Sequence, residues 1–439
     1  MNESTTQVKF RKSNRCWIVL AGCCLMAAVG FSIPITCWTV CMTPIIKSIG
    51  IGYTQAAMYM TAVTFASIIG LVAAPKLIQY GAGKLVAISG AISACGFFLI
   101  AAAPSPTTIV AAGVIVGLTY MLTSLYTAPV VIKNWFAVKQ GAFTAIALAF
   151  IGVGGMILSP LTTSLISSFG WQTTMIILGI ASIVIQVIVG AFMIRLSPIP
   201  MGILPYGATE EDVERILSTG KMEEDSSKVP GLKFGESFKT PVAWIMLVVF
   251  LGLGAMATVT TNVNPMIQKF GFTAAAAGIA LSAGSLGNIT GKLVMGWATD
   301  KHGAQFGCLV AAIMAIAGFV GYILSFTVVQ SESFLFVSAF ICGNGCCMAT
   351  MMPPLVGMDA FGPKDYDRIY GFFSAIRGFM AALMSMMVGA MVDASGTYMS
   401  TLVFWIVACL VLVPFAYIGI KVGQKYWKKQ SSDENAAVA

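Results

Sequence analysis

Charge is what this sequence has least of. Only 10% of its 439 residues are Asp, Glu, Lys or Arg, where a soluble domain carries roughly a quarter. With 58% hydrophobic residues and a mean hydropathy of +0.88, that shortage excludes a water-soluble globule and leaves a polytopic membrane protein. Histidine is scarcer still. His302 is the only copy, so a histidine-based metal centre or catalytic triad has almost nothing to draw on. No glycine-rich phosphate loop stands between a strand and a helix, so no nucleotide drives the protein. Neither an enzyme nor a cofactor is expected. The eleven cysteines lie mostly inside apolar runs, Cys23-Cys24 and Cys346-Cys347 among them, without zinc-ligand spacing, and read as small buried hydrophobes. A cleavable leader is not expected either: Met1–Arg15 is polar and basic, and the apolar run after it is too long for a signal core.

What the chain does have is apolar runs of spanning length. Twelve begin near Cys16, Gln55, Lys84, Thr107, Gly141, Gln172, Thr240, Thr273, Ala304, Ser333, Ile369 and Met399. An even number places both termini on one side. Lys and Arg choose the side: with the termini cytosolic, all but Lys47, Lys269, Lys292 and Arg377 fall in cytosolic segments. The net charge of +8 therefore faces the inner leaflet of the lipid bilayer, and no nucleic acid is expected as a partner.

The hydrophilic stretch Ser197–Lys239 divides the spans six and six, and predicts a short amphipathic helix around Glu210–Leu217. The expected organisation is a cytosolic tail (1–15), an N-terminal six-helix bundle (16–196), a cytosolic linker (197–239), a C-terminal six-helix bundle (240–424) and a second cytosolic tail (425–439). The fold class is an all-α polytopic membrane protein, twelve transmembrane helices in two six-helix bundles, functional as a monomer. The halves echo each other. Gly141-Ala142-Phe143 opens the fifth span and Gly371-Phe372-Phe373 the eleventh, while Ala74–Gly81 is a decayed copy of Gly296–Gly303. Such repeats are a transporter signature, with cargo bound near the midplane between them.

Two cations stand out against this background. Lys292 and Arg377 each lie about eight residues, or about 12 Å, inside the eighth and eleventh spans. An ionisable group at that depth costs on the order of 3 kcal/mol, and no Asp or Glu lies deep in any span to neutralise either one. A bound anion fits both, and Arg offers a carboxylate a two-pronged fork. The alternative is a structural pairing with backbone carbonyls or a lipid phosphate. Asn288, one turn before Lys292 on the same face, is placed to orient its ammonium. Asn262 and Asn264 on the seventh span either orient cargo or bond between helices. The glycines Gly278, Gly284, Gly287 and Gly291 suit close helix packing.

The turn Gly296-x-x-x-Asp300-Lys301-x-Gly303 resembles the loop motif of the major facilitator superfamily, a structural brace between neighbouring helices. More narrowly, Asn134-Trp135-Phe136, Asp359-Ala360-Phe361-Gly362 and Tyr370-Gly371 resemble the oxalate:formate antiporter and monocarboxylate transporter branch. The resemblance implies that cations from the eighth and eleventh spans clamp carboxylate, positions held here by Lys292 and Arg377. Their counterparts in the first half, Gly70 and Ala147, imply an apolar, small facing wall. It also implies pocket positions at Ile35, Thr36, Ile151, Cys346 and Thr350, with Tyr126 and Phe150 one residue from aromatic positions of the pattern. These side chains are smaller than an oxalate pocket's.

The expected function is secondary transport of small organic anions, carboxylates, by exchange through an alternating-access site. The expected contacts are Lys292, Arg377, Asn288, Thr36, Tyr126, Asn262, Cys346 and Thr350. A proton-coupled monocarboxylate symporter is the alternative within the class, although its branch carries an acid where Asn288 stands. An anion-sensing membrane receptor is the alternative outside it, with little chain left over for a signalling domain.

Overall fold

Helices that begin where the apolar runs begin dominate the computed structural model, which describes residues 13–208, 231–362 and 364–438. They are α1 (Arg15–Ile49), α2 (Tyr53–Leu77), α3 (Ala82–Ala102), α4 (Pro106–Trp135), α5 (140–169), α6 (171–193), α7 (Pro241–Met256 with Val259–Lys269), α8 (Ala274–His302), α9 (Ala304–Val329), α10 (Glu332–Phe361), α11 (Tyr366–Ser395) and α12 (Met399–Val438). Among the described residues there is no strand, only an isolated bridge between Phe136 and Tyr206. The segment predicted as an amphipathic helix, Glu210–Leu217, lies outside the described residues.

Three helices depart from a plain apolar rod. α5 and α6 run on without a loop and are separated only by Gly170, whose left-handed φ of 78° lets the chain reverse. α7 is bent by 41° between its two pieces. α8 is less apolar than the other spans because its 29 residues include Asn288, Lys292 and five glycines.

The rods alternate in direction, so the start of α1, the end of α6, the start of α7 and the end of α12 share one face, the terminal face; the other is the distal face. The second bundle has one continuous core that includes Phe250, Phe319, Phe361, Phe373 and Trp405. The first has two, one around Trp38, Tyr59, Phe97 and Trp171 and one around Val131, Trp135 and Ile194.

Glycine sets how closely α8 approaches α10. A side chain at Gly287 would strike the Phe340 carbonyl, one at Gly291 the Asn344 backbone, and one at Gly343 the Gly284 carbonyl. Backbones in direct contact are how spans associate where lipid removes the hydrophobic drive. Gly343→Val is therefore expected to lower stability by about 1–3 kcal/mol or more, the usual scale of overpacking. Thermal unfolding followed by size-exclusion chromatography in detergent checks it; an unchanged midpoint would mean the seam is loose.

α1, α4, α7 and α10, the first and fourth span of each half, are all interrupted part-way along. In α1 the break is a wide turn over Ser32–Cys37. In α4 it lies between Thr123 and Thr127, in α7 between Met256 and Val259, and in α10 at Cys347. Polar side chains satisfy the freed carbonyls, as hydrocarbon surroundings demand. Tyr59 Oη donates to Pro34 (3.3 Å), Ser124 Oγ to Tyr120 (2.6 Å), Asn262 Nδ2 to Thr258 (2.8 Å) and Thr350 Oγ1 to Cys347 (3.0 Å). Broken helices at mid-depth are tolerated where they line a cavity.

At the terminal face the motif residues surround the end of α8. Gly303 (φ 84°) ends α8, its N–H reaching the Thr299 carbonyl. The Asp359 carboxylate lies within electrostatic range of the Ala304 N–H at the start of α9. Lys301 lies over the Trp297 ring at 5.3 Å, and Gly296 packs beside Met351. The Asp300 side chain is outside the described residues. In the first half Asn134 Nδ2 and Trp135 Nε1 donate to the Leu196 and Arg195 carbonyls, tying α4 to the end of α6.

Candidate functional site

Three pairs of helices join the bundles: α2 with α11, α5 with α8, and the distal parts of α1 and α7. Along α2 and α11 the contacts run inward from Thr54 beside Gly389, through Thr61 Oγ1 donating to the Ala382 carbonyl (2.9 Å), to Phe65 edge-on to Phe379 at 5.6 Å. Along α5 and α8 they run from Ser159 Oγ donating to Gly278 (3.1 Å), through Ser282 Oγ donating to Met156 (2.8 Å), to Ile289 against Gly152. Both seams stop near mid-depth. Towards the terminal face, no hydrogen bond or ring contact crosses between the bundles among the described residues.

Lys292 and Arg377 stand where the seams stop. Lys292 is three residues beyond Ile289, and Arg377 two short of Phe379, on the terminal-face side in each case. Lys292 lies ten residues before His302 and Arg377 eleven after Tyr366, so both are at one depth, roughly 15 Å from the helix ends. Both are half-buried. They flank the same broken turn of α10: Lys292 is within electrostatic range of the Cys347 thiol, and Arg377 Nη1 donates to the Ala349 carbonyl at 3.1 Å. Arg377 Nε is buried with no partner. Lys292 makes no hydrogen bond, and neither cation has an acidic partner, among the described residues. The described acids of α10 and α11 with placed side chains, Glu332, Asp359 and Asp393, sit near the helix ends.

The other sequence candidates divide. Thr350 is exposed beside Ala349, in the same turn as the cations' partners. Thr36 is half-buried in the break of α1, 3.6 Å from where a side chain at Gly155 would begin. The remaining four are turned to other work. Asn288 does not bond Lys292; it lines a void of about 20 Å³ with Tyr322, Cys342 and Cys346, room for about one water. Cys346 Sγ lies 3.6 Å from Cys342 Sγ, buried inside the second bundle. Asn262 is consumed by the break in its own helix, and Asn264 accepts from Gln268 Nε2 (2.7 Å). Tyr126 packs with Phe143 and Phe150 on the terminal-face core of the first bundle.

The expected apolar, small facing wall needs correcting. Gly70 and Ala147 are buried within the first bundle, Gly70 against the Leu118 carbonyl and Ala147 in a core. From that bundle Tyr120, itself in a core beside Phe31, comes within electrostatic range of Arg377. Sequence reasoning missed Tyr120 and Cys347. No signal in the local sequence marks Tyr120, since the break in α4 that follows it is seen only in the fold. A crevice of about 560 Å³ opens on the distal side between α1, α5, α7 and α8, lined by Lys47, Thr163 and Gln268; it is remote from both cations.

Comparisons with known proteins agree with this architecture. A family model described as Major Facilitator Superfamily matches residues 18–385 and 261–438. An uncharacterized MFS-type transporter of Escherichia coli (strain K12), YhjX, is 24% identical over 299 residues, 67% of this chain and 68% of that one. Among solved structures, a bacterial homolog to the human lysosomal transporter Spinster, inward-facing and unoccupied, superposes with a TM-score of 0.67 at 15% identity, covering 94% of this chain and 99% of that one. The nucleoside transporter NupG does so with a TM-score of 0.68 at 16% identity, covering 93% and 99%. At such identity these structures speak to the fold alone. Twelve spans in two bundles, four mid-depth breaks and a family match along nearly the whole chain lead to one conclusion: this is a multi-pass membrane transporter belonging to the Major Facilitator Superfamily.

Proposed function

We propose that the chain exchanges small organic anions, carboxylates first, across the inner (cell) membrane, with its terminal face and both tails cytosolic. The observation that carries this reading is the convergence of two cations, Lys292 and Arg377, without acidic partners among the described residues, on one broken turn of α10. Arg377 spends one nitrogen on Ala349 and keeps the rest of its fork for a carboxylate. Lys292 supplies the second charge, and the Thr350 hydroxyl and Tyr120 phenol offer neutral hydrogen bonds beside them. Asn288, Asn262, Cys346 and Tyr126 act behind this layer, holding helices rather than cargo. With the terminal face cytosolic, the conformation described is the inward-facing one, and the units 16–196 and 240–424 rock about the site as a monomer.

The test is counterflow. Purified protein in liposomes loaded with a panel of mono- and dicarboxylates, neutral nucleosides and amino acids is diluted into labelled compound of each class. Carboxylate-loaded vesicles should accumulate labelled carboxylate against its gradient. Accumulation confined to nucleosides would overturn the anion reading and leave the fold intact.

A further inference from the structure

α2 begins at Gly52, which has no side-chain oxygen to satisfy the first N–H groups of the helix. The missing cap comes from the other bundle. Asp393, near the distal end of α11, accepts from Tyr53 N–H (2.9 Å) through Oδ1. Through Oδ2 it accepts from Thr54 N–H (2.9 Å) and from the Thr54 hydroxyl (2.6 Å). Gly52 itself makes the approach feasible, since a side chain there would begin 2.9 Å from the Asp393 carboxylate. Gly389, one turn earlier on α11, lets the Thr54 backbone lie directly against that helix. Lys269 at the end of α7 completes the cluster, its ammonium 5.3 Å from the Tyr53 ring centre and within electrostatic range of Asp393. Tyr53 meets Tyr398 edge-on at 5.9 Å.

We infer that Asp393 is the latch of the distal gate: it caps α2 only while the distal ends of the bundles are together. A carboxylate at a helix start satisfies orphan N–H groups and opposes the positive end of the helix dipole. Because the acid and the helix belong to different bundles, that stabilisation exists in one conformation and vanishes when α2 and α11 part. Within one helix the same contact would stabilise both conformations equally and set no balance between them. Asp393 thus biases the resting transporter towards the state open at the terminal face, and parting the distal gate requires Gly52–Thr54 to find water in place of the carboxylate. Lys269 draws on the same carboxylate electrostatically from the α7 side, so three of the helices at this end meet at one charge.

Hydrogen–deuterium exchange on the full-length protein in nanodiscs, without substrate, tests the latch independently of cargo. In Asp393→Ala the first turns of α2 and the distal end of α11 should exchange about tenfold faster, the scale of one net charge-assisted hydrogen bond. The terminal-face ends of α5 and α11 should exchange more slowly as that side closes. Asp393→Asn and Thr54→Val should shift both ends the same way by less. Faster exchange at the distal end with the terminal-face ends unchanged would reduce Asp393 to a local cap and overturn the inference. So would faster exchange at both ends, or wild-type behaviour of Asp393→Ala.

Discussion

Arg377→Ala and Lys292→Ala should each cut carboxylate uptake at least about a hundredfold while the protein still inserts and elutes as a single species. The magnitude follows from the geometry. A guanidinium that donates two bonds to a carboxylate contributes about 1.5–3 kcal/mol per bond, and two such bonds correspond to roughly a hundredfold or more in binding. Arg377→Lys keeps the charge and loses the fork, so it should fall between wild type and alanine. Lys292→Arg should be better tolerated than Lys292→Ala for the converse reason. The structural alternative makes a different forecast. If Arg377 served only to bond the Ala349 carbonyl and stabilise α10, Arg377→Ala would lower the unfolding temperature and leave the affinity of correctly folded protein alone. Uptake kinetics and thermal unfolding on the same preparation separate the two, and normal transport in both alanine variants would remove these residues from the site.

External carboxylate should accelerate efflux of preloaded carboxylate by tenfold or more at fixed pH. The empty carrier must pass between its two open states with Lys292 and Arg377 in a narrow site, two like charges without a described acid to offset them. Low-dielectric surroundings raise that cost, and a bound carboxylate removes much of it. The loaded protein therefore crosses faster than the empty one, and exchange follows. A proton-coupled symporter relieves the same problem by titrating a group in the site, and the position that would serve one turn before Lys292 is Asn288, which has no proton to exchange. The measurement is efflux into media with and without external substrate, then with an imposed pH gradient. Equal efflux in both media, driven instead by the pH gradient, would decide for symport.

The spans were legible because bilayer thickness dictates them: each helix starts within three residues of where its apolar run starts, α8 with its half-buried lysine included. The depth of Lys292 and Arg377 was legible for the same reason. Orientation about the helix axis was not. Asn288 shares a helix face with Lys292 on paper, but in the fold it lines the void beside Tyr322. Tyr126 and Tyr120 are six residues apart in α4 with the break between them; Tyr120 comes within electrostatic range of Arg377, and Tyr126 packs on the terminal-face core. The break of α7 at Ala257–Thr258 has no proline within it to announce it; Pro265 lies seven residues later. Local sequence records which residues are apolar, whereas breaks and rotations answer to the neighbouring helix.

The glycine seam between α8 and α10 has a mechanical consequence. Two backbones in direct contact resist both sliding and rolling, so the pair behaves as one stiff beam. Lys292 rides on one edge of that beam and the Cys347–Thr350 turn on the other, and their spacing is conserved however the halves tilt. Compliance must then reside elsewhere, and α7 offers it: a 41° elbow whose Thr258 carbonyl is held by two side chains of its own helix, the Thr261 hydroxyl and the Asn262 amide. A stiff beam beside a jointed strut turns a small angular change at the elbow into a large displacement at the far ends, while the cations keep their reach to a cargo of fixed size.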